Sequence, residues 1–449
     1  MLQLPFDIVW AVYDSLEKVD ARHTLLNLLV LSKTSYAIFS LELYRRITIA
    51  ATDPRIARLV KTLRKKPHLK NEVHALTIRL ESLYAPPTTF RRVFRSVEPL
   101  EQFARLVAKG RLPNLRRLAF VGERGYNSFT HWTKFSQPTR DLFFRMRCLK
   151  TIRCVRFDSI EELDAAMVWG QSGFLALDDL QLSSVHYLRE PFVSPQKTTN
   201  QHPAQPHLLK TLAIHTTRLF QPFTLSSFCH LESFSFTYAH GMKGSTVSDV
   251  FAIVDACKDT LHELHIQAPT PSVSTTHCFG TGPPPGPGLP LDLTKHVKLH
   301  TVVIKSTARR ADSSCPTKLQ AHIAAEEDLS AVVSCLTKMN FPPGLPKLRV
   351  GFHLLDSGDA QSQNLFDLFN EWRLISHFGY LYGAAMSMSP ENGRVQQVEV
   401  GITPILPLQI TCVQLRHLQL AMHGHLARAQ ENLELDRINF YLDFDTGIV

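Results

Sequence analysis

The chain has 449 residues, of which 44% are hydrophobic and 20% are charged. This composition is ordinary for a folded protein and excludes wholesale disorder, and the length allows about three domains or one long repeat array. The uninterrupted apolar runs, such as residues 28–31, are far shorter than the roughly 20 residues of a membrane-spanning helix, so we expect no membrane segment.

The cysteines and the first 20 residues indicate where the protein works. The start of the chain carries five charged side chains of mostly acidic type and lacks a basic stretch followed by an apolar one, so we expect no secretory signal. The 8 cysteines are scattered and include no CxxC pair, which is typical of reduced intracellular thiols. We therefore expect a protein of the cytoplasm and/or nucleus, with no metal site and no cofactor.

The positive charge is concentrated in one region. Residues 42–120 hold 18 of the 49 Lys and Arg but 6 of the 40 Asp and Glu, a local balance of +12 against −3 for the rest of the chain. Such a basic region is typical of a surface that meets an acidic protein or a nucleic acid. The alternative, which we favour at this point, is that these residues cover the solvated outer faces of helices.

The first 49 residues predict a compact unit of three short helices. Ile8, Val9, Val12 and Leu16 recur at helical spacing behind Pro5, and two further apolar groups follow at 25–31 and 36–44. Three short helices bury little surface by themselves, so this unit predicts a docking partner. Residues 50–70 predict a linking helix, because Asp53-Pro54 is a helix start and Pro67 is a stop.

Beyond residue 70 a short frame recurs, in which a leading Leu and two polar residues precede an apolar-x-apolar strand. About one match would be expected from composition, whereas eight occur. They begin at Leu115, Leu149, Leu177, Leu209, Leu231, Leu261, Leu299 and Leu415. Looser versions occupy Val73–Ile78, Leu345–Val350, Val395–Val400 and Leu435–Phe440. These frames predict the strands of one repeated unit.

Helical spacing between the frames predicts the second layer. Apolar faces occur at 160–167, 247–254, 329–336 and 365–375, while residues of about 190–207 and 269–290 are rich in Pro and predict exposed loops. Repeated strand and helix units bury a continuous core between a sheet and a helix layer. The fold class predicted is therefore α/β.

Two parts of the chain resemble known families. The Leu-x-x-Leu-x-Leu frame resembles an irregular leucine-rich repeat over roughly 70–442. Residues 2–48 resemble an F-box, which opens with Leu4-Pro5-Phe6-Asp7-Ile8-Val9 and closes with Leu43-Tyr44-Arg45-Arg46-Ile47. This resemblance implies an F-box-like helical unit (1–49), the linking helix (50–70) and a solenoid (71–449) with a curved parallel sheet and outer helices.

The same resemblance implies the substrate-recognition adaptor of a Skp–cullin–F-box ubiquitin ligase. The F-box would dock a Skp-type linker protein, and through it a cullin, by a set of apolar residues: Leu4, Pro5, Ile8, Val9, Val12, Leu28 and Leu31. Ubiquitin transfer would belong to other subunits, and no catalytic motif occurs, so we expect a non-enzyme.

The repeats would hold an unknown target protein. Strand alternation sends the residues between the apolar positions to the concave face of the sheet. The expected target-binding residues are Arg153, Gln181, Ser183, His215, Ser235, Thr237, His265, Gln267, Lys305 and Gln419. Two alternatives stay open: a leucine-rich-repeat scaffold without ligase coupling, and a nucleic-acid binder through 42–120. The second is disfavoured, because we expect no set of aromatic side chains to be presented among these cations for base stacking.

Overall fold

A computed structural model describes residues 43–51, 53, 55–80, 98–122, 130–164, 167–168, 177–187, 209–215, 228–237, 244–268, 291–306, 339–354, 397–404 and 438–442. The chain divides into two compact units. The first comprises Met1–Ala213, Thr217–Ser227 and Thr446–Val449, and the second comprises Ile214–Thr216 and Phe228–Asp445. Each unit is built around a parallel sheet, so the predicted α/β class is confirmed.

The sheet of the first unit follows chain order. Its strands are β1 (Arg46–Ala50), β2 (Ala75–Leu80), β3 (Arg117–Gly122), β4 (Thr130–His131), β5 (Cys154–Leu163) and β6 (Asp179–Tyr187). They pair in the order β1-β2-β3-β5-β6, and β4 pairs with the far part of β5. Helices α1 (Arg55–Lys65), α2 (His68–Glu72), α3 (Glu98–Ala108) and α4 (Gln137–Arg147) connect them, with a 3₁₀ turn at Trp132–Lys134. Strand β7 (Thr211–His215) lies at the boundary between the units.

The second unit repeats this plan. Its strands are β8 (Ser233–Thr237), β9 (Glu263–Ala268), β10 (Leu291–Asp292), β11 (Thr301–Ser306), β12 (Met339–Asn340), β13 (Lys347–Leu354), β14 (Gln397–Pro404) and β15 (Ile438–Leu442), and helix α5 (Gly244–Ala256) lies between β8 and β9. The main sheet has the order β8-β9-β11-β13-β14-β15, and β10 and β12 form a separate parallel pair.

Alternation along each strand separates an apolar face from a polar one. In β3, Leu118 and Phe120 are buried, and the register places them beside Val155 and Phe157 of β5, which are buried too. Phe120 stacks on Phe157 at 5.4 Å between ring centroids. Because every second residue points the same way, this register joins the apolar residues of successive strands into one core beneath the sheet.

A repeated backbone contact holds successive strands in this register. The carbonyl of the residue before one strand accepts two N–H groups from the start of the next. Arg116 O accepts from Arg153 N at 2.8 Å and Cys154 N at 3.0 Å, and His262 O accepts from His300 N at 2.9 Å and Thr301 N at 3.1 Å. The turn before each strand is thereby fixed relative to its neighbour, as a stacked repeat requires.

Most of the predicted strand frames are confirmed. Strict frames coincide with β3, β6, β7, β8, β9 and β11, and the looser frames coincide with β2, β13, β14 and β15. The frame at Leu149 is wrong by three residues. Leu149 lies in the turn after α4, and Ile152 takes the leading position, because Cys154 pairs with Arg117 at the start of β3.

The helix expected at 160–167 is wrong over its first half. Ile160 and Leu163 belong to β5, where they pair with Val185 and Tyr187 of β6. Backbone φ values of 56° at Ser159 and Glu162 interrupt any helical run there. The apolar spacing that suggests a helix instead marks a strand with a bulge, whose register shifts between Ile160 and Leu163.

Of the other predicted elements, one helix is confirmed, one segment forms a strand instead, and the rest lie outside the described residues. The helix at 247–254 is confirmed by α5. Residues 46–49, expected to end the helical unit, form β1 instead, because Ile47 and Ile49 alternate inward and pair with β2. The three expected F-box helices before residue 43, the helices at 329–336 and 365–375, the frame at Leu415 and both Pro-rich loops lie outside the described residues.

Candidate functional site

The polar face of the sheet in the second unit brings together several of the expected target-binding residues. Ser235 pairs in register with His265, Thr237 pairs with Gln267, and Gln267 pairs with Lys305. The side chains of Ser235, His265, Gln267 and Lys305 are half-buried, while their strand neighbours of opposite parity are buried in the core. His215 joins this group, with its Nε2 3.5 Å from Ser235 Oγ.

The other expected residues lie elsewhere. Gln181 and Ser183 occupy the equivalent face of β6 in the first unit, half-buried. Arg153 is wrong as a face residue, because it precedes β5 and pairs with Asp178 in the adjoining turn at 3.7 Å. Gln419 lies outside the described residues, as do the linker-binding residues Leu4, Pro5, Ile8, Val9, Val12, Leu28 and Leu31.

The sequence reasoning missed a charged cluster on the same face, at β13 and β14. Glu399 lies between two cations: its carboxylate is 2.5 Å from Lys347 Nζ and 2.5 Å from Arg349 Nε. All three occupy outward positions of looser frames, so applying the alternation rule to those frames as well would have found them. The cluster fixes three long side chains at one place on the face.

The charges of this cluster shape the electrostatics of the face. Burial alone would raise the pKa of Glu399, but its hydrogen bonds with Lys347 and Arg349 outweigh burial and hold that pKa below the ordinary value. Burial lowers the pKa of His265, and the nearby cations of Lys305 and Arg349 act in the same direction, against the opposing effect of Glu263. His265 is therefore a neutral imidazole at pH 7, able both to donate and to accept a hydrogen bond.

A glycine next to this cluster leaves room on the face for the side chain of Lys305. A Cβ at Gly351 would lie 2.8 Å from Lys305 Cγ, so the absence of a side chain there lets the aliphatic part of Lys305 lie across β13. In this position the alkyl stem of Lys305 covers the neighbouring strand.

The corresponding face of the first unit carries a second polar cluster. Cys154 Sγ donates to Asp179 Oδ2 at 3.2 Å, and Gln181 Nε2 donates to the same oxygen at 3.1 Å. Beside them Arg156 contacts the buried Asp158 at 2.6 Å. Burial is the largest influence on Asp179 and raises the pKa of its carboxyl, and burial together with the Asp179 charge raises the pKa of the Cys154 thiol to about 12. A thiol with this pKa is protonated and a poor nucleophile at pH 7.

Both clusters consist of side chains that hydrogen bond or form ion pairs with one another on neighbouring strands. Within the described ranges, no group of three or more His, Cys, Asp and Glu side chains is placed to hold a metal ion. In each unit, the polar face of the sheet presents hydrogen-bond donors and acceptors that the strands orient.

No protein-family model matches the chain, and no curated protein matches it. In the described part of the chain, no helix has the length and apolar character needed to cross a membrane.

Proposed function

We propose that this chain is a substrate-recognition adaptor of a Skp–cullin–F-box ubiquitin ligase. Its N-terminal unit would dock a Skp-type linker protein, and its sheet face would hold a target protein. The observation that carries the target-binding half is the polar face of the second unit, where Ser235, His265, Gln267 and Lys305 lie on paired strands above an apolar core. The resemblance of residues 2–48 to an F-box carries the linker-binding half.

The face suits a protein ligand for a physical reason. A parallel sheet of this kind has no spare main-chain groups on its face, so recognition depends on side chains that are already oriented by the strands. His265 is neutral and bifunctional, Lys305 is positive, and the carboxylate of Glu399 is occupied by two cations. Oriented polar groups of this kind reduce the entropy lost on binding, which favours specific recognition of a folded or extended segment.

No catalytic role is part of this proposal. The adaptor would position the target, and ubiquitin transfer would be carried out by the other subunits of the ligase, in the cytoplasm and/or nucleus. Its expected partners are the linker protein, a cullin reached through that linker, and a target whose identity the chain does not reveal; no cofactor is needed.

Linker binding tests the ligase half of the proposal. The full chain, mixed with a purified Skp-type linker protein, should form a complex on size-exclusion chromatography. Leu4→Asp together with Pro5→Ala should abolish that complex, because a charge at an apolar docking residue leaves an uncompensated buried carboxylate. If the wild-type chain forms no complex, or if the double variant binds normally, the F-box assignment is wrong.

The outcome also separates the proposal from its alternative. A matched control is the sheet-face variant His265→Glu with Lys305→Glu, which should bind the linker as tightly as wild type, since it changes only outward side chains of the second unit. A chain that never binds the linker would instead be a leucine-rich-repeat scaffold without ligase coupling.

A further inference from the structure

Helix α1 carries an exposed face of one charge sign. The sequence of Arg55–Lys65 contains five basic residues and no acidic one, and Lys66 follows directly. Ile56, Val60 and Leu63 are buried beneath the helix, whereas its basic side chains are all exposed. The buried residues explain how α1 packs on the core, but they do not account for the basic residues on its exposed face.

Most of these cations have no ion-pair partner among the described residues. Arg55 pairs with Asp53 at 3.1 Å, but among the ion pairs between described residues none involves Arg58, Lys61, Arg64 or Lys65. Lys61 lies three residues after Arg58 and four before Lys65, so like charges face each other on adjacent turns, an arrangement that destabilises a helix. A solvated helix face ordinarily mixes both signs, and this one does not.

We propose that the exposed face of α1, formed by Arg58, Lys61, Arg64 and Lys65, binds an acidic segment of a partner protein. Arg58 and Lys65 are separated by about 10 Å along the helix axis, from the rise of 1.5 Å per residue. Carboxylates at alternate positions of an extended chain are spaced by about 7 Å, so two or three of them match this stripe. The inference is independent of the adaptor proposal, because it involves neither the F-box-like residues nor the sheet face.

An acidic peptide fits the surroundings of α1 better than a nucleic acid does. Helix α3 packs against α1 and begins with Glu98 and Glu101, which place carboxylates on the neighbouring helix. A duplex covers a wider surface than an extended peptide does, so carboxylates on the neighbouring helix disfavour a duplex more. No aromatic side chain lies among the cations of α1 to stack a base.

The test is a binding titration with the full chain and a fluorescent peptide of alternating glutamate and serine. Wild type should bind the peptide, and the affinity should fall between about 50 and about 200 mM salt because exposed charges are screened. Arg58→Glu with Lys61→Glu and Lys65→Glu should weaken binding about tenfold, as expected for three exposed ion pairs of ordinary strength. The neutral variant with Gln at the same positions should weaken binding in the same direction, and it keeps the test valid where the reversed charges disturb folding.

A second variant controls for net charge. Lys258→Glu with Lys295→Glu and Lys298→Glu reverses three exposed lysines of the second unit, and it should change the affinity less than about threefold. Equal losses in both triple variants, or no binding of the glutamate peptide by wild type, would overturn the proposal. So would tighter binding of a DNA duplex at the same salt concentration with the same dependence on α1, which would assign the face to nucleic acid.

Discussion

Substituting Glu399 with Gln tests the charged cluster on the sheet face. Glu399 is the carboxylate between Lys347 and Arg349, and Gln keeps the size and shape of the side chain while removing its charge. The change leaves two cations side by side without their counter-ion. We expect β13 and β14 to separate more easily in the variant at pH 7.

The structure sets the size of the effect. A hydrogen bond to a charged group contributes about 1.5–3 kcal/mol, and Glu399 makes two of them at 2.5 Å each. Its own side chain is 12% exposed, but those of Lys347 and Arg349 are 27% and 41% exposed, so solvent screening reduces the total. A local destabilisation of about 2 kcal/mol follows.

Amide hydrogen exchange measured by mass spectrometry reads this effect locally, which matters in a chain of two units where global unfolding need not be two-state. Peptides covering Lys347–Leu354 and Gln397–Pro404 should exchange about 30-fold faster in the variant, since about 1.4 kcal/mol corresponds to a factor of ten. The control Glu263→Gln alters a carboxylate that is 53% exposed and 3.4 Å from His265, and it should change exchange of β9 less than threefold.

The contribution of Glu399 to stability should depend on pH, because the pKa of its carboxyl is shifted in the folded chain. The pKa of Glu399 is lowered in the folded chain, so its contribution is complete above the ordinary value of 4.5 and is lost as the pH falls through the folded value. Wild type and Glu399→Gln should therefore differ at pH 7 and converge in acid. Equal exchange rates at pH 7 would refute the reasoning, as would a difference that persists once the carboxylate is protonated.

Three further predictions concern the first unit. In urea titrations, Gly122→Ala should lower the free energy of unfolding by about 3 kcal/mol, because the new Cβ would lie 2.0 Å from the backbone oxygen of Ser159. Gly110→Ala should lower it by about 1 kcal/mol, because its Cβ has open space but the backbone φ is 67°. Burial raises the pKa of Asp179 in the folded chain, so its ionised form destabilises the fold as the pH rises. Asp179→Asn should therefore be more stable than wild type at pH 7 and equally stable well below pH 4. A less stable variant at pH 7 in urea titrations would contradict this. Cys154 should resist alkylation by iodoacetamide at pH 8 until the chain is unfolded, as followed by mass spectrometry, because the fold raises the pKa of this half-buried thiol to about 12. Rapid labelling of the folded chain would contradict the raised pKa.

The strands could be predicted because each repeats the same local rule. A leading apolar residue, two residues of the turn and two alternating apolar residues recur in the sequence from Val73 to Phe440, and from Val73 to Val350 these apolar residues are buried in the frames that the structure describes. Each frame is decided by residues that are close in sequence. The rule fails where local patterns compete. Leu149 satisfies the frame, but the end of α4 at Arg147 places it in a turn, and the strand takes its leading residue from Ile152. Requiring Leu at that position concealed the true register.

For the site, the sequence predicts which face of the sheet a residue lies on, but not which residue of the next strand it lies beside. Alternation alone places Ser235, His265, Gln267 and Lys305 on one face, because parity within a strand is a local property. Pairing between strands is not local. Glu399 is 50 residues from Arg349 in the chain, and only the register of β13 with β14 sets them opposite each other. Ion pairs across a parallel sheet depend on crossover lengths that the pattern of one strand does not encode, whereas the outward position of each partner is encoded.

The same distinction explains why the two proposed surfaces differ in what supports them. The exposed face of α1 can be predicted from one short segment of sequence. The spacing of its cations and of the buried Ile56, Val60 and Leu63 determines which side of the helix is exposed. The sheet face is assembled from strands far apart in the chain, and the lowered pKa of His265 comes first from its burial in the fold and then from the approach of Lys305 and Arg349. Substitutions on α1 should therefore act almost additively, one exposed charge at a time. Those on the sheet face should be coupled, so that Lys305→Ala changes the protonation of His265 as well as removing a charge.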